Sequence, residues 1–121
     1  MPRFVVLEHD HPNLHWDLML EQADGLRTWR LAEFPTVGRT VGAELTFVHR
    51  SVYLEYEGPV SGDRGTVKRV LSGVFEWERD EDERVEARWP GGGIDLLRVG
   101  GRWTCRLFGL RGEGPPDGFQ Q

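Results

Sequence analysis

Residues 14–22, LHWDLMLEQ, alternate between apolar and mostly polar side chains with a period of two. This period predicts a β-strand, because successive side chains on a strand point to opposite faces of a sheet. The apolar face holds Leu14, Trp16, Leu18 and Leu20. The opposite face holds His15, Asp17, Met19 and Glu21. A strand with one apolar face must cover that face with further chain, so this segment requires a sheet of several strands.

Strand-like segments recur along the chain at short spacing, with turn signals between them. The sequence ADG at residues 23–25 predicts a hairpin turn, and Gly100-Gly101 predicts another. No stretch has the period of an amphipathic helix, and 16 Gly and 7 Pro supply many turns. We therefore predict an all-β fold, a compact antiparallel β-barrel of about eight strands with little helix.

Several segments carry more specific expectations. Residues 43–49 and 51–58 are expected to form strands. Residues 66–80 are expected to form one bent strand or two, with the bend at Gly73. The seven consecutive charges at residues 78–84 are typical of a solvated hairpin tip.

Composition limits the setting and the partners. The 121 residues suit one domain, expected at residues 1–110, with a flexible tail at 111–121 because that segment lacks periodicity. A single cysteine, Cys105, excludes an intramolecular disulfide and a Cys-based zinc site. The N-terminus does not resemble a signal peptide, and no apolar run approaches the ~20 residues of a membrane helix. We expect a cytoplasmic monomer without membrane contact.

The net charge is −5. This acidic balance argues against a surface that coats nucleic acid, but it allows contact with one strand end, since local charge decides such contacts. Of the fifteen cationic side chains only Lys68 is a lysine. Arginine suits the recognition of phosphate or carboxylate groups through its planar fork.

The first 17 residues contain three of the four histidines, and these point to a metal site. His15 and Asp17 share one face of the predicted strand, and His9 ends the preceding strand across a short turn. Two imidazoles and one carboxylate suit Zn²⁺, Mn²⁺ or Fe²⁺, and the positions left open favour catalysis over a structural site. His11, in the turn before Pro12, is expected to be exposed. The alternative is that these histidines are polar surface beside a turn.

These residues carry a resemblance to a known family. Residues 3–21 resemble the 3′-phosphoesterase domain of bacterial DNA ligase D, through Glu8-His9, the segment Leu14-His15-Trp16-Asp17 and the Leu-Glu that follows. Further on, His49, a tyrosine four residues later and an aromatic-Glu-Gly at residues 56–58 are similar to the same family. The resemblance covers roughly residues 3 to 108.

The resemblance implies a fold, an activity and a set of site residues. The implied protein is a compact β-barrel that uses a divalent metal, Mn²⁺ above all. The implied activity trims DNA 3′ ends, removing a terminal ribonucleoside and then the 3′-phosphate. His9, His15 and Asp17 would hold the metal, while His49 and Tyr53 would contact or position the scissile phosphate. The implied partners are DNA or RNA-tailed DNA 3′ ends, together with ligase or polymerase repair proteins.

The sequence departs from the family at two places that bear on phosphate binding. Met19 stands where the family has an arginine two residues after the metal-binding aspartate, and a thioether cannot grip phosphate. Glu33 stands near a position where the family has a lysine. Arg39 is expected to supply a catalytic positive charge in place of the cations that are absent at these two positions.

Other arginines lie near motif positions, namely Arg27, Arg30 and Arg50. Of these, Arg50 is expected to face away from the site, because it directly follows His49 on a predicted strand.

Three functions are consistent with this pattern. The first is a Mn²⁺-dependent phosphoesterase acting on nucleic-acid 3′ ends or a related phosphoester. The second is a barrel that binds a metal, a partner or a nucleic-acid end without catalysis, which the change to Met19 favours. The third is a small all-β protein whose histidines are only polar surface.

Overall fold

The computed structural model describes residues 1–109 and contains ten β-strands in a single antiparallel sheet. The strands are β1 Arg3–His9, β2 His15–Gln22, β3 Gly25–Leu31, β4 Thr40–Leu45, β5 Gly58–Pro59, β6 Thr66–Val74, β7 Glu76–Asp80, β8 Arg84–Trp89, β9 Gly92–Val99 and β10 Arg102–Gly109. Within the described residues the only helix is a 3₁₀ turn at Ser51–Leu54. The predicted all-β antiparallel fold with little helix is confirmed, with ten strands in place of about eight. The predicted tail at 111–121 lies outside the described residues.

The sheet coils into a barrel-like shape without closing. Its order is β5-β6-β1-β2-β3-β4-β10-β9-β8-β7, and the end strands β5 and β7 are not hydrogen-bonded to each other. The strands β1 to β4 pack against β8 to β10 through one apolar cluster that includes Phe4, Leu18, Trp29, Ile94 and Trp103. The main core therefore lies between the two halves of one continuous sheet.

The β9–β10 hairpin follows the sequence signal directly. Gly100 and Gly101 have φ of 59° and 78°, which a two-residue turn of the primed type requires at both positions. Cys105 on β10 is buried, and this burial raises the pKa of its thiol to about 12. The cysteine is therefore an unreactive core side chain.

Strands β1, β2 and β3 are buried on both faces. One face contributes to the main core, and the other carries a second apolar cluster of Val5, Leu7, Met19, Leu26, Leu54 and Val67. Tyr53, Tyr56 and Val60, from the segment that connects β4 to β6, pack against this second cluster. The connecting segment thus covers the outer face of the sheet beside the predicted metal ligands.

Four expectations about local structure are corrected. Leu14 is 56% exposed, because β2 begins one residue later at His15. Residues 43–49 are not one strand, since β4 ends at Leu45. Residues 51–58 are not a strand: residues 51–54 form the 3₁₀ turn, which lets Leu54 reach the second cluster, and β5 begins at Gly58. Residues 66–80 form two strands, one of the two predicted alternatives, but the break is at Phe75 and not at Gly73, and the Phe75 ring is buried in the main core.

No helix in residues 1–109 has both the length and the apolar character needed to cross a membrane.

Gly25 permits a close approach between β3 and the segment after β4. An isolated bridge joins Leu26 to His49, with backbone N–H to oxygen distances of 2.8 and 2.9 Å. Gly25 has φ of 141°, and a Cβ there would lie 2.7 Å from the His49 carbonyl oxygen. A side chain at position 25 would therefore push His49 away from β3.

We expect Gly25→Ala to destabilise the fold more than a glycine substitution with similar backbone strain but no close overlap. Gly58→Ala is the matched control, because its φ of 131° is near that of Gly25 and the added Cβ would meet only Tyr56, at 3.4 Å. The backbone strain alone costs about 1–3 kcal/mol, and Gly25→Ala adds the overlap with residues 48 and 49. Urea unfolding of both variants measures the difference, and equal losses would show that the approach is not restrictive.

Candidate metal centre

Three side chains converge at the ends of β1 and β2. One ligand atom each from His9, His15 and Asp17 lies within 4.8 Å of the other two. Asp17 Oδ2 is 3.2 Å from His15 Nε2 and 3.8 Å from His9 Nδ1. Two ligands held about 2.1 Å from one ion lie roughly 3–4 Å apart, so these separations fit a shared metal ion.

The convergence follows from strand pairing. β1 and β2 are antiparallel, with His9 opposite His15 and Leu7 opposite Asp17. Cross-strand partners lie on the same face of a sheet, and residues two apart share a face as well. The apolar side chains of the second cluster continue this face toward the other end of the strands, so the three polar groups are at its rim.

Backbone carbonyls determine which ring nitrogens face the carboxylate. His15 Nδ1 is 2.8 Å from the Asn13 oxygen, and His9 Nε2 is 2.8 Å from the Arg64 oxygen. A carbonyl oxygen can only accept, so each of these nitrogens carries its ring proton in a neutral imidazole. His15 Nε2 and His9 Nδ1 then present lone pairs to Asp17. Such a group of acceptors requires a cation or an added proton between its members, and it suits a metal ion with carbonyl-oriented histidines.

The Arg64 carbonyl is held in place by the turn after β1. Asp10 accepts a hydrogen bond from the Thr66 N–H at 2.7 Å, which ties this turn to the start of β6. Gly65 has φ of 76°, and a Cβ there would overlap Asp10 Oδ1 and the His11 side chain. Asp10 is therefore a structural residue that positions the carbonyl partner of His9.

A cavity of about 410 Å³ opens beside the convergent side chains. His9 and Asp17 contribute to its wall, together with His11, His49 and Tyr53. His11 is half-buried, with its ring centroid 6.4 Å from that of His9, and it is not part of the convergent group. Two of the predicted metal ligands and both predicted phosphate-contacting residues thus border one cavity, whereas His15 contacts Asp17 without lining this cavity.

His49 is held between two aromatic rings. The Phe47 ring stacks on it with centroids 4.2 Å apart, and the Tyr53 ring meets it edge-on at 5.9 Å. His49 Nδ1 lies 3.0 Å from the Phe47 carbonyl oxygen, so it donates there and leaves Nε2 free. The Tyr53 hydroxyl makes no hydrogen bond to the described part of the chain. Both side chains can therefore offer a polar group to a ligand.

Burial sets the charge of His49. Desolvation lowers the pKa of His49 below its ordinary value of 6.5, and the charges of Arg30 and His9 lower it further. The Phe47 carbonyl and the Asp17 carboxylate act in the opposite direction and only partly offset the burial. The ring is therefore neutral at neutral pH in the metal-free protein, and a bound anion would favour its protonated form.

The two departures from the family pattern have different surroundings. Met19 is 2% exposed and lies in the second cluster, where an apolar side chain packs well. Glu33 pairs with Arg39 at 2.8 Å, and neither residue lines the cavity. The role of Arg39 in phosphate binding stays a prediction, and its guanidinium is already neutralised by Glu33.

The fold brings to the cavity three residues that the sequence did not assign to the site, although it placed two of them, Arg30 and Arg50, near motif positions. Arg50 lines the same cavity as His49, because residues 46–50 are not a regular strand, so the expectation that it faces away is wrong. Arg30 also lines the cavity from β3. Its position opposite Asp17 follows from the hairpin register, and counting back from the ADG turn would have found it. Phe47 gives no such signal, because its orientation depends on the chain leaving the strand.

We expect His49 to titrate below pH 6.5 in the metal-free protein, as followed by NMR of the imidazole ring. Because the folded chain disfavours the protonated ring, the unfolded state binds the proton first as the pH falls. The contribution of His49 to stability is complete above pH 6.5 and is lost between pH 6.5 and the lower folded pKa. The stability of His49→Gln should fall less than that of the wild type between about pH 7 and pH 5. A ring that titrates at or above 6.5 would contradict the burial argument.

Comparison with known proteins yields one distant similarity. The chain is 27% identical, over 116 residues, to the multifunctional non-homologous end joining protein LigD of Pseudomonas aeruginosa. The aligned segment covers 92% of this chain but only 14% of the length of LigD. No protein-family model matches the chain. The chain is thus distantly similar to a small part of a multifunctional end-joining protein.

Proposed function

We propose that this protein is a divalent-metal-dependent phosphoesterase, related to the 3′-phosphoesterase domain of DNA ligase D. Its proposed substrates are DNA 3′ ends that carry a ribonucleotide or a phosphate. The proposed metal is Mn²⁺, with Zn²⁺ or another transition metal as the alternative. The observation that carries the proposal is the group of facing acceptors formed by His9, His15 and Asp17 beside the cavity lined by His49 and Tyr53.

The chemistry of the cavity fits the proposal. His9, His15 and Asp17 would hold a divalent metal, which would supply positive charge and lower the pKa of a water molecule. His49 lines the same cavity with its Nε2 free, and a protonated ring there would stabilise negative charge on a phosphate. The Tyr53 hydroxyl has no partner among residues 1–109, so it can donate a hydrogen bond to a phosphate oxygen. His49 and Tyr53 would thereby orient the phosphate within the cavity that His9 and Asp17 also line.

The similarity to LigD supports a role in the repair of DNA ends. LigD is named as a multifunctional protein of non-homologous end joining. The chain corresponds to 14% of LigD, so the polymerising or sealing partner would be a separate polypeptide or another part of a longer one. The proposed place of action is the cytoplasm, with the protein acting as a monomer.

A second candidate function is metal or DNA-end binding without catalysis. The observation in its favour is the burial of Met19 in an apolar cluster, where the related family places a cation. Loss of a charged hydrogen bond to the transition state lowers the rate by about 10²–10³-fold. A site with no replacement for that cation would bind an end but process it slowly.

We expect His15→Ala to weaken Mn²⁺ binding by at least about 100-fold, because a direct ligand matters more than the outer residues that orient ligands. Calorimetric titration with Mn²⁺ measures the affinity. His11→Ala is the matched control, since His11 lies in the same region but outside the convergent group. If His15→Ala binds Mn²⁺ as tightly as the wild type, His15 is not a metal ligand. If His15→Ala and His11→Ala lose the same Mn²⁺ affinity, the proposed set of ligands is wrong.

We expect the protein with Mn²⁺ to shorten a primer that ends in one ribonucleotide, and to convert a 3′-phosphate to a 3′-hydroxyl. His49→Ala should reduce the rate about 10²–10³-fold while leaving Mn²⁺ affinity near that of the wild type. Gel analysis of labelled primers measures both products.

The trimming assay, read together with the metal titration, distinguishes the two candidate functions. If the wild type binds Mn²⁺ and DNA ends but forms neither product, the binding function replaces the phosphoesterase. If His15→Ala trims as fast as the wild type, the activity does not come from this site.

A further inference from the structure

Arg30 lies on the metal face of the sheet, one strand away from the predicted ligands. The register of β2 and β3 places it directly opposite Asp17. Cross-strand neighbours have Cβ atoms about 4.5–5.5 Å apart, so Arg30 begins beside the carboxylate of the convergent group. Its side chain is exposed and lines the cavity that also contains His49.

We propose that Arg30 binds the terminal phosphate of the substrate, and so replaces the cation that Met19 does not provide. The inference rests on the proposed function and names the residue that recognises the phosphate. Arg30 lies on β3, next to the strand that carries Met19, and both residues are on the same face of the sheet. This follows because Met19 pairs with Thr28, and Arg30 is two residues further along β3.

The guanidinium of Arg30 is uncommitted. It makes no ion pair and no hydrogen bond to any side chain or backbone group in residues 1–109. By contrast Arg39 is paired with Glu33, Arg27 with Asp80, and Arg64 donates to Ser61. An exposed arginine without a partner at the wall of a cavity retains its five donors for an anionic ligand.

The charge of Arg30 is directed at the same space as the ring of His49. Its charge is one of the influences that lower the pKa of that ring. A phosphate in the cavity would neutralise this repulsion and accept hydrogen bonds from both groups. The residue directly opposite Arg30 on β4 is Glu44, and the two side chains do not form an ion pair. Glu44 therefore opposes phosphate binding, and Arg30 has a carboxylate on each side until a metal or a phosphate changes the balance.

The surface around Arg30 adds to its positive charge. A second cavity, of about 760 Å³, shares Arg30 with the first and is also lined by Arg98 and Arg102. Neither of these arginines forms an ion pair with the described part of the chain. The local charge at this end of the barrel is thus more favourable for a phosphate than the net charge of −5 indicates.

The test compares two labelled DNA duplexes that differ only in a 3′-phosphate or a 3′-hydroxyl. Fluorescence anisotropy measures their binding to the metal-free protein in EDTA, so that no turnover occurs. We expect the wild type to prefer the 3′-phosphate. Arg30→Gln should lose about tenfold in affinity for the 3′-phosphate and bind both duplexes alike. Arg30→Lys should retain part of the preference, and Glu44→Gln should strengthen it.

Two further variants separate a local contact from a general charge effect. Arg106→Gln removes one exposed arginine on β10 that lines neither cavity, and should keep the preference. Arg50→Gln removes a second arginine that lines the first cavity and forms no ion pair within residues 1–109. A loss in Arg50→Gln without a loss in Arg30→Gln overturns the proposal, as does a wild type with no preference between the duplexes. Thermal melting of each variant checks that the fold is retained.

The trimming assay distinguishes failure of this inference from failure of the proposed function. An Arg30-dependent phosphate preference without product in Mn²⁺ supports Arg30 as the phosphate-binding residue and rejects the phosphoesterase. Trimming by Arg30→Gln with unchanged KM and unchanged end affinity leaves the phosphoesterase in place and overturns the role of Arg30.

Discussion

The antiparallel pairing of β1 with β2 determines most of what this site can do. With His9 opposite His15, the two rings and the Asp17 carboxylate face the same side of the sheet. A slip of one residue in this register would turn His15 and Asp17 into the main core and move Leu18 to the outer face of the sheet. The buried apolar residues on the other face of β2 prevent that slip, because each would lose its packing. The stability of the core and the geometry of the ligands therefore depend on the same set of backbone hydrogen bonds.

The cavity also depends on the second apolar cluster. Most one-sided sheets expose their second face, but here Leu54 and Tyr53 come over β1 and β2 from the connecting segment. This covering creates the cavity wall and desolvates His49, which changes the protonation of the ring. Met19 belongs to this cluster. The residue that departs from the pattern of the related family is thus part of the packing beneath the candidate site.

The fold and the ligand group were predictable to different depths. Alternation and turn glycines were sufficient for the antiparallel sheet, and the separation of His15 and Asp17 by two residues was sufficient to place them on one face. That these residues bind metal stays a prediction. The partner of His9 is a carbonyl 55 residues away, and no local pattern indicates such a contact. The 3₁₀ turn was also missed, because SVYL has strand-forming residues and becomes helical only when Leu54 is drawn into the second cluster.

The two backbone hydrogen bonds between Leu26 and His49 join two parts of the molecule that can vary independently in sequence. The predicted metal ligands are on regular strands whose positions are fixed by the core. His49, Tyr53 and Arg50 are on a segment attached to the sheet at that bridge and at the second cluster. Changes of length or sequence in this segment would alter the wall of the cavity while the predicted metal ligands stay in place. The architecture is therefore modular, because the cavity wall can change on one unchanged sheet.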